Sequence, residues 1–103
     1  EAEMKAIHPS AAIELRQRFH VPGLVPEKEG AAETLVRRLT GDNASHVVSY
    51  GTEAGQFQER GYSAVVCGPG DIAQAHQADE YITLAQFRAG QAFMDDLLAD
   101  LCT

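Results

Sequence analysis

Apolar and polar residues alternate over residues 12–20, where Ile13 and Leu15 are each followed by a charged side chain. A period of two is typical of a strand that buries one face, and a charged opposite face favours the edge of a sheet. Two shorter β-rich segments follow at residues 45–50 and 62–67. We predict a strand in each of the three segments.

Two longer segments have helical periodicity instead. Apolar residues recur at helical spacing over residues 31–39 and again over residues 84–101. Gly41 follows the first segment as a stop signal. Thr83 precedes the second and forms a capping-box pattern with Gln86. Both segments are therefore predicted to be helices with defined ends.

Two short helices complete the prediction. Residues 1–7 are predicted to be the last turns of a helix, which ends at His8 because Pro9 disfavours helical backbone in the residue before it. A brief helix begins after Thr52, its predicted N-cap, and is broken by Gly61. The order strand, helix, strand that results predicts a parallel βαβ unit and an α/β fold class.

The last predicted helix carries a stripe of apolar side chains. We expect this stripe to pack against the sheet rather than to bind a partner. Its members are Leu84, Phe87, Gly90, Met94, Leu97, Leu98 and Leu101. Glycine in the middle of a helix costs about 1 kcal/mol relative to alanine, so Gly90 indicates a close contact between this helix and the sheet.

Residues Gly68 to Tyr81, GPGDIAQAHQADEY, follow the third predicted strand and contain one histidine, His76. In α/β proteins, loops at the carboxyl ends of strands are where ligands usually bind. Gly68 and Gly70 either let the backbone approach a ligand, with N–H groups directed at a substrate, or simply form a turn. We hypothesise that His76 is one ligand of a metal centre, the alternative being a surface or hydrogen-bonded histidine.

Composition limits the classes of function. The chain has 103 residues, enough for one domain, and a net charge of −7 without a basic patch, so we expect no nucleic-acid partner. No apolar run is long enough to span a membrane, and we expect no membrane partner. Cys67 and Cys102 lie far apart, which argues against a disulfide framework or a thiolate zinc site and favours a cytoplasmic protein.

Two segments taken together resemble a known family. SYGTEAGQF at residues 49–57 and VVCGPGDIAQAHQADEY at residues 65–81 resemble the carboxy-terminal part of the di-zinc aminoacylases and peptidases, which include acetylornithine deacetylase and succinyl-diaminopimelate desuccinylase. The resemblance implies a partial three-layer sheet with flanking helices in residues 21–103, the second half of a catalytic domain. Residues 1–20 would be the tail of a lid or dimerisation domain, and the chain a carboxy-terminal fragment.

The same resemblance implies an activity. The parent would be a zinc-dependent, or cobalt-dependent, enzyme that deacetylates N-acetylornithine in arginine biosynthesis, and a homodimer. His76 matches a metal-ligand position of the family, and the other ligands would come from the amino-terminal catalytic half. The fragment alone is expected to be inactive and to bind no metal tightly. A desuccinylase or dipeptidase of the same family, or a non-catalytic α/β binding module, remain alternatives.

Three acidic residues are further candidates. The resemblance implies that Glu53 helps to recognise the substrate, and a carboxylate suits the amino groups of ornithine; alternatively it is a first-turn acid favoured by the helix dipole. Asp79 and Glu80 either accept the second ring N–H of His76 or form a solvated, helix-capping pair. Asp71 is predicted to cap a turn.

Overall fold

The computed structural model describes residues 1–103 and contains four helices. They are α1 (Ala2–Ile7), α2 (Ala31–Thr40), α3 (Ala54–Glu59) and α4 (Leu84–Leu101). Each lies where the sequence predicts a helix. None of them combines the length and the apolar character that crossing a membrane requires.

The ends of the two longer helices follow their local sequence. Gly41 ends α2 in the left-handed conformation with φ of 71°, and its N–H donates to the carbonyl of Arg37. This conformation is one that glycine adopts without a steric penalty. Thr83 is the N-cap of α4, and its hydroxyl oxygen accepts a hydrogen bond from the N–H of Gln86 at 3.2 Å. Both predicted end signals are confirmed.

The two short helices differ from prediction by one residue at most. Helix α1 ends at His8, which has the extended backbone that Pro9 imposes. Helix α3 has Glu53 rather than Thr52 as its N-cap. The hydroxyl of Thr52 nevertheless accepts a hydrogen bond from the N–H of Ala54 at 3.2 Å, so the threonine still stabilises the first turn.

The structure contains no β-strand, and the predicted α/β fold with a partial three-layer sheet is therefore wrong for this chain. Residues 12–20, 45–50 and 62–67 have irregular backbone, and no parallel βαβ unit forms. Alternation is a property of one segment, whereas a strand needs backbone hydrogen bonds to a second segment. Here no backbone–backbone hydrogen bond joins residues more than five positions apart.

Side chains make the long-range polar contacts instead. The carboxylate of Glu27 accepts hydrogen bonds from the hydroxyl of Ser63 at 2.6 Å, the amide of Gln58 at 2.9 Å and the N–H of Ala64 at 3.2 Å. The hydrogen bond from Ser63, followed by those from Gln58 and Ala64, lowers the pKa of Glu27. This Glu27 junction ties the turn-rich segment to α3 and to the segment that precedes the His76 loop.

A close backbone contact reinforces the same junction. Gly55 of α3 is the only buried residue of the chain. A Cβ at this position would press on the carbonyl oxygen of Pro22 and would lie 2.8 Å from that of Gly23. The absence of a side chain at Gly55 is what lets α3 approach the backbone of Pro22 and Gly23.

Helices α2 and α4 are joined by an ion pair. The guanidinium of Arg38 donates two hydrogen bonds to the carboxylate of Asp100, one of them at 2.9 Å. The hydrogen bonds from Arg38 lower the pKa of Asp100, and the carboxylate raises the pKa of Arg38. The pair fixes the carboxyl end of α4 against α2.

The chain is extended and buries little apolar surface. Its radius of gyration is 21.0 Å, whereas a compact domain of this length has one of about 13 Å. Its accessible surface is 8985 Å², against about 5,700 Å² for a folded protein of this mass. The apolar stripe of α4 is exposed, with Leu84 72% and Leu101 68% accessible. The predicted packing of this stripe on a sheet is thus not formed.

The hydrogen bonds of residues 1–20 stay within that range. The carboxylate of Glu1 accepts a hydrogen bond from the N–H of Ile13 at 3.2 Å, which links α1 to the segment that follows it. No hydrogen bond or ion pair joins residues 1–20 to residues 21–103.

Candidate functional site

The loop from Gly68 to Tyr81, here called the His76 loop, begins with a tight turn. The carboxylate of Asp71 accepts a hydrogen bond from the N–H of Ala73 at 2.7 Å, and its carbonyl accepts one from the N–H of Gln74 at 3.0 Å. Aspartate often stabilises turns in this way, because its side chain reaches the backbone two residues on. The predicted turn-capping role of Asp71 is confirmed.

His76 adopts a backbone conformation that is uncommon for its residue type. Its φ is 58°, in the left-handed region, and non-glycine residues held there are enriched at functional sites. The carboxylate of Glu80 accepts a hydrogen bond from the backbone N–H of His76 at 3.2 Å. His76 is exposed, and its imidazole makes no hydrogen bond.

The two acidic neighbours of His76 differ from each other. Glu80 holds the backbone of His76 rather than its ring. Asp79 is exposed and makes no hydrogen bond, as expected of a solvated carboxylate. Neither Asp79 nor Glu80 accepts a hydrogen bond from a ring N–H of His76.

Helix α4 lies against the start of the His76 loop. The carboxamide oxygen of Gln86 accepts a hydrogen bond from the N–H of Gly70 at 3.2 Å. A Cβ on Gly90 would lie only 2.8 Å from Cγ of Pro69. The close contact predicted at Gly90 therefore exists, although it is made to this loop and not to a sheet. The capping box is half formed, since the side chain of Gln86 is engaged with Gly70.

A cleft of about 560 Å³ opens beside the loop. Its lining consists of Tyr50, Val66, Cys67, Gly68, Pro69, Gly70, Asp71, Ile72, Ala75, His76, Glu80, Tyr81 and Ile82. The structure thus brings together Gly68, Gly70, His76 and Glu80 among the predicted site residues. Glu53 and Asp79 do not line the cleft.

The cleft also contains residues that the sequence did not single out. Tyr50 lines it and is contributed by the first of the two family-like segments, which the fold brings beside the second. An aromatic residue directly before Gly51 and Thr52 was the available signal, but its proximity to His76 depends on tertiary structure. Ile72 and Tyr81 belong to the loop itself and add apolar surface to the cleft.

A second depression, of about 940 Å³, lies over α2 and is lined only by charged and polar residues. They are Lys28, Glu29, Glu33, Thr34, Arg37, Arg38 and Asn43. None of the predicted site residues is among them. Two of its three cations are already paired, Arg37 with Glu33 and Arg38 with Asp100.

The donor groups of the chain do not form a metal site by themselves. Catalytic zinc normally takes three protein ligands and an open position. No group of three or more His, Cys, Asp or Glu side chains lies close enough together to hold a metal ion. The unpaired imidazole of His76 is a suitable nitrogen donor, but it is a single one.

The candidate site thus consists of an exposed histidine beside a cleft, in a loop that begins with two glycines. Residues 9–100 match the profile of peptidase family M20/M25/M40, and the chain belongs to this family. The match confirms the resemblance found in residues 49–57 and 65–81. The family is generally metal-dependent.

Curated relatives are deacetylases of acylated amino acids. The chain is 41% identical to N-acetyl-L-citrulline deacetylase of Xanthomonas campestris pv. campestris, over 76% of this chain and 23% of that protein. It is 32% identical to acetylornithine deacetylase of Myxococcus xanthus, over 99% of this chain and 24% of that protein. It is 33% identical to acetylornithine deacetylase of Proteus mirabilis, over 80% of this chain and 21% of that protein.

The chain thus spans about a quarter of the length of these relatives. No solved structure matches it significantly.

Proposed function

We propose that this chain is part of a metal-dependent amidohydrolase that releases acetate from N-acetylornithine, a reaction of arginine biosynthesis. The observation that carries the proposal is the state of His76. In a chain of this family, its imidazole has no partner and its backbone is held in the left-handed region at the edge of a cleft. Such a ring is available to a ligand that the rest of the enzyme helps to hold.

In this proposal His76 supplies one nitrogen ligand to a zinc ion. A bound divalent cation supplies Lewis-acid chemistry to the amide carbonyl. The N–H of Gly70 is engaged by Gln86, whereas the N–H of Gly68 makes no hydrogen bond. Gly68 is therefore the residue of the turn whose N–H is free to bind the acyl oxygen or the carboxylate of a substrate.

The remaining metal ligands are proposed to come from an amino-terminal catalytic half. Two observations support this. No set of side chains in the chain is sufficient for a metal, and the accessible surface exceeds that of a compact domain by about 3,300 Å². The exposed apolar stripe of α4 is part of the excess and would be covered when the catalytic domain is complete.

We further propose that this chain contains parts of two domains. Residues 1–20 would belong to a lid or dimerisation domain of a homodimer, and residues 21–103 to the catalytic domain. The lack of hydrogen bonds and ion pairs between these two ranges supports a boundary there. The proposed boundary lies at the proline- and glycine-rich segment of residues 21–30.

N-acetylcitrulline is the second candidate substrate, favoured by the 41% identity to a deacetylase of that compound. The two substrates differ in charge, since ornithine ends in an ammonium group and citrulline in a neutral ureido group. If Glu53 recognises the ammonium group, Glu53→Gln should lower kcat/KM for N-acetylornithine and leave N-acetylcitrulline unaffected. If N-acetylcitrulline is the substrate, Glu53→Gln should change neither reaction selectively.

The proposal is tested with the complete gene product, expressed with whatever sequence its gene encodes on either side of this chain. Release of amino acid is measured from N-acetylornithine, N-acetylcitrulline, N-succinyl-diaminopimelate and a dipeptide. We expect the highest kcat/KM for N-acetylornithine and a loss of turnover with a chelator. Preference for the succinyl compound or the dipeptide, or turnover that resists metal removal, would contradict it.

A further inference from the structure

Two residues of α4 contact the same turn of the His76 loop. Gln86 accepts a hydrogen bond from the N–H of Gly70, and Gly90 lies against the ring of Pro69. Residues four positions apart lie on one face of a helix, one turn above the other. Gln86 and Gly90 therefore form one surface of α4, and the Pro69–Gly70 turn rests on it.

Both residues depart from what the helix alone would favour. At the third position of α4, the side chain of Gln86 could complete a capping box by bonding the N–H of Thr83, but it bonds Gly70 instead. Gly90 is less favourable in a helix than alanine. Gln86 and Gly90 are thus both less favourable for the helix itself than they could be. This indicates that their shared surface is adapted to contact with the loop.

The contact also closes a loop around His76. Gly70 and Gln86 are 16 residues apart in sequence, and His76 lies between them. A hydrogen bond across such a loop reduces the number of conformations that the loop can adopt. Glu80, which belongs to the loop itself, also holds the backbone of His76, so two hydrogen bonds restrict the loop.

We propose that Gln86 and Gly90 are positioning residues, which hold the Pro69–Gly70 turn on α4 and thereby place the imidazole of His76. The part of this proposal that concerns metal binding rests on the proposed function of His76. The part that concerns the loop stands on the contacts of Gln86 and Gly90 alone.

The first test compares Gln86→Leu, Gln86→Glu and Gln91→Leu in the complete gene product. Gln86→Leu removes the acceptor for Gly70, Gln86→Glu keeps it, and Gln91 is an exposed residue of the same helix without a hydrogen bond. We expect the Gly70 amide of Gln86→Leu to exchange with deuterium about tenfold faster, and its affinity for added Zn²⁺ to fall about tenfold. The other two variants should match the wild type in both measurements.

The second test is Gly90→Ala, which separates loop placement from general stability. Alanine favours the helix, whereas its Cβ would displace Pro69. We expect the melting temperature of the Gly90→Ala protein to remain unchanged or to rise, while its affinity for Zn²⁺ falls. A variant that merely damaged the fold would lower both quantities together.

The outcomes separate the two proposals when His76→Ala is measured alongside. Loss of zinc in His76→Ala with wild-type exchange and affinity in Gln86→Leu would overturn the positioning role and leave the proposed function standing. Equal losses in Gln86→Leu and Gln91→Leu would also overturn it. Unchanged zinc in His76→Ala, with fast Gly70 exchange only in Gln86→Leu, would support loop positioning and reject the proposed function.

Discussion

Glu80 and His76 are joined through the backbone: the carboxylate of Glu80 accepts a hydrogen bond at 3.2 Å from the N–H of His76. This contact closes the turn in which His76 has its φ of 58°. Because the ring itself remains unpaired, Glu80 stabilises the position of the imidazole without occupying its nitrogens. A residue placed in this way is expected to matter for ligand binding more than for stability.

Glu80→Leu should weaken the affinity of the complete gene product for Zn²⁺ about tenfold, as the loss of groups that orient a ligand commonly does. Glu80→Gln, which keeps an acceptor oxygen, should retain most of the affinity. Asp79→Leu is the matched control, since it removes a neighbouring carboxylate that makes no hydrogen bond. Titration with Zn²⁺ measures the affinity of all three variants. Equal losses of affinity in Glu80→Leu and Asp79→Leu would argue against a specific role of Glu80 in positioning His76.

Gly68→Ala tests whether the cleft receives the substrate. No atom lies within 4 Å of a Cβ built on Gly68, so the chain itself has room for the methyl group. We expect an unchanged melting temperature and a kcat/KM at least about tenfold lower, because the methyl group would occupy the space of the substrate. Gly23→Ala is the control, since a Cβ at Gly23 also meets no atom within 4 Å and Gly23 does not line the cleft. Unaltered kinetics for Gly68→Ala would remove Gly68 from the site.

Glu27 should make stability depend on pH in the acid range. Its folded-state pKa is lowered by the hydrogen bonds from Ser63, Gln58 and Ala64. Its contribution is therefore complete above the ordinary glutamate pKa of about 4.3, and it is lost as the pH falls through the lowered value.

Urea denaturation of Glu27→Gln at several pH values checks this expectation. The variant should be less stable than the wild type at neutral pH, and the difference should shrink on acidification. Glu59→Gln, on the exposed end of α3, is the control and should show no such trend. A difference between Glu27→Gln and the wild type that grows on acidification would reverse the assigned sign.

The Arg38–Asp100 pair should couple α2 to α4 in a salt-dependent manner. The side chain of Arg38 is 60% exposed, so its interaction with Asp100 is screened by ions. A double-mutant cycle of Arg38→Met and Asp100→Asn should give a favourable coupling that declines as salt is added. The same cycle with Asp96, which makes no ion pair, should give none. Coupling that resists salt would show that the two residues interact in some other way.

The helices were predictable because their determinants are local. The caps at Thr83 and Gly41 and the break before Pro9 act within a few residues, and the structure has all three where the sequence indicates them. The predicted strands are absent because a strand depends on contacts that are not local. Alternation over residues 12–20 records which face a strand would bury, but the backbone partner that makes a strand is a distant segment, and none pairs with it here.

The candidate site was likewise predictable only where its features are local in sequence. Glycines and a histidine at fixed spacing identified the His76 loop and the family. The partners of that loop were not accessible to sequence reasoning, because the contacts of Gln86 with Gly70 and of Tyr50 with the cleft depend on how separated segments pack. Glu53 belongs to the family-like segment but does not line the cleft of this chain, and its part in substrate recognition stays a prediction.

The most direct measurement is the zinc content and turnover of His76→Ala in the complete gene product, with His20→Ala as the control. His20 is exposed and makes no hydrogen bond. We predict that His76→Ala loses bound zinc and at least about a hundredfold in hydrolysis of N-acetylornithine, since loss of a ligand should exceed the effect of losing a group that orients one. His20→Ala should behave as the wild type. Full zinc occupancy and unchanged hydrolysis in His76→Ala would show that His76 is not a metal ligand.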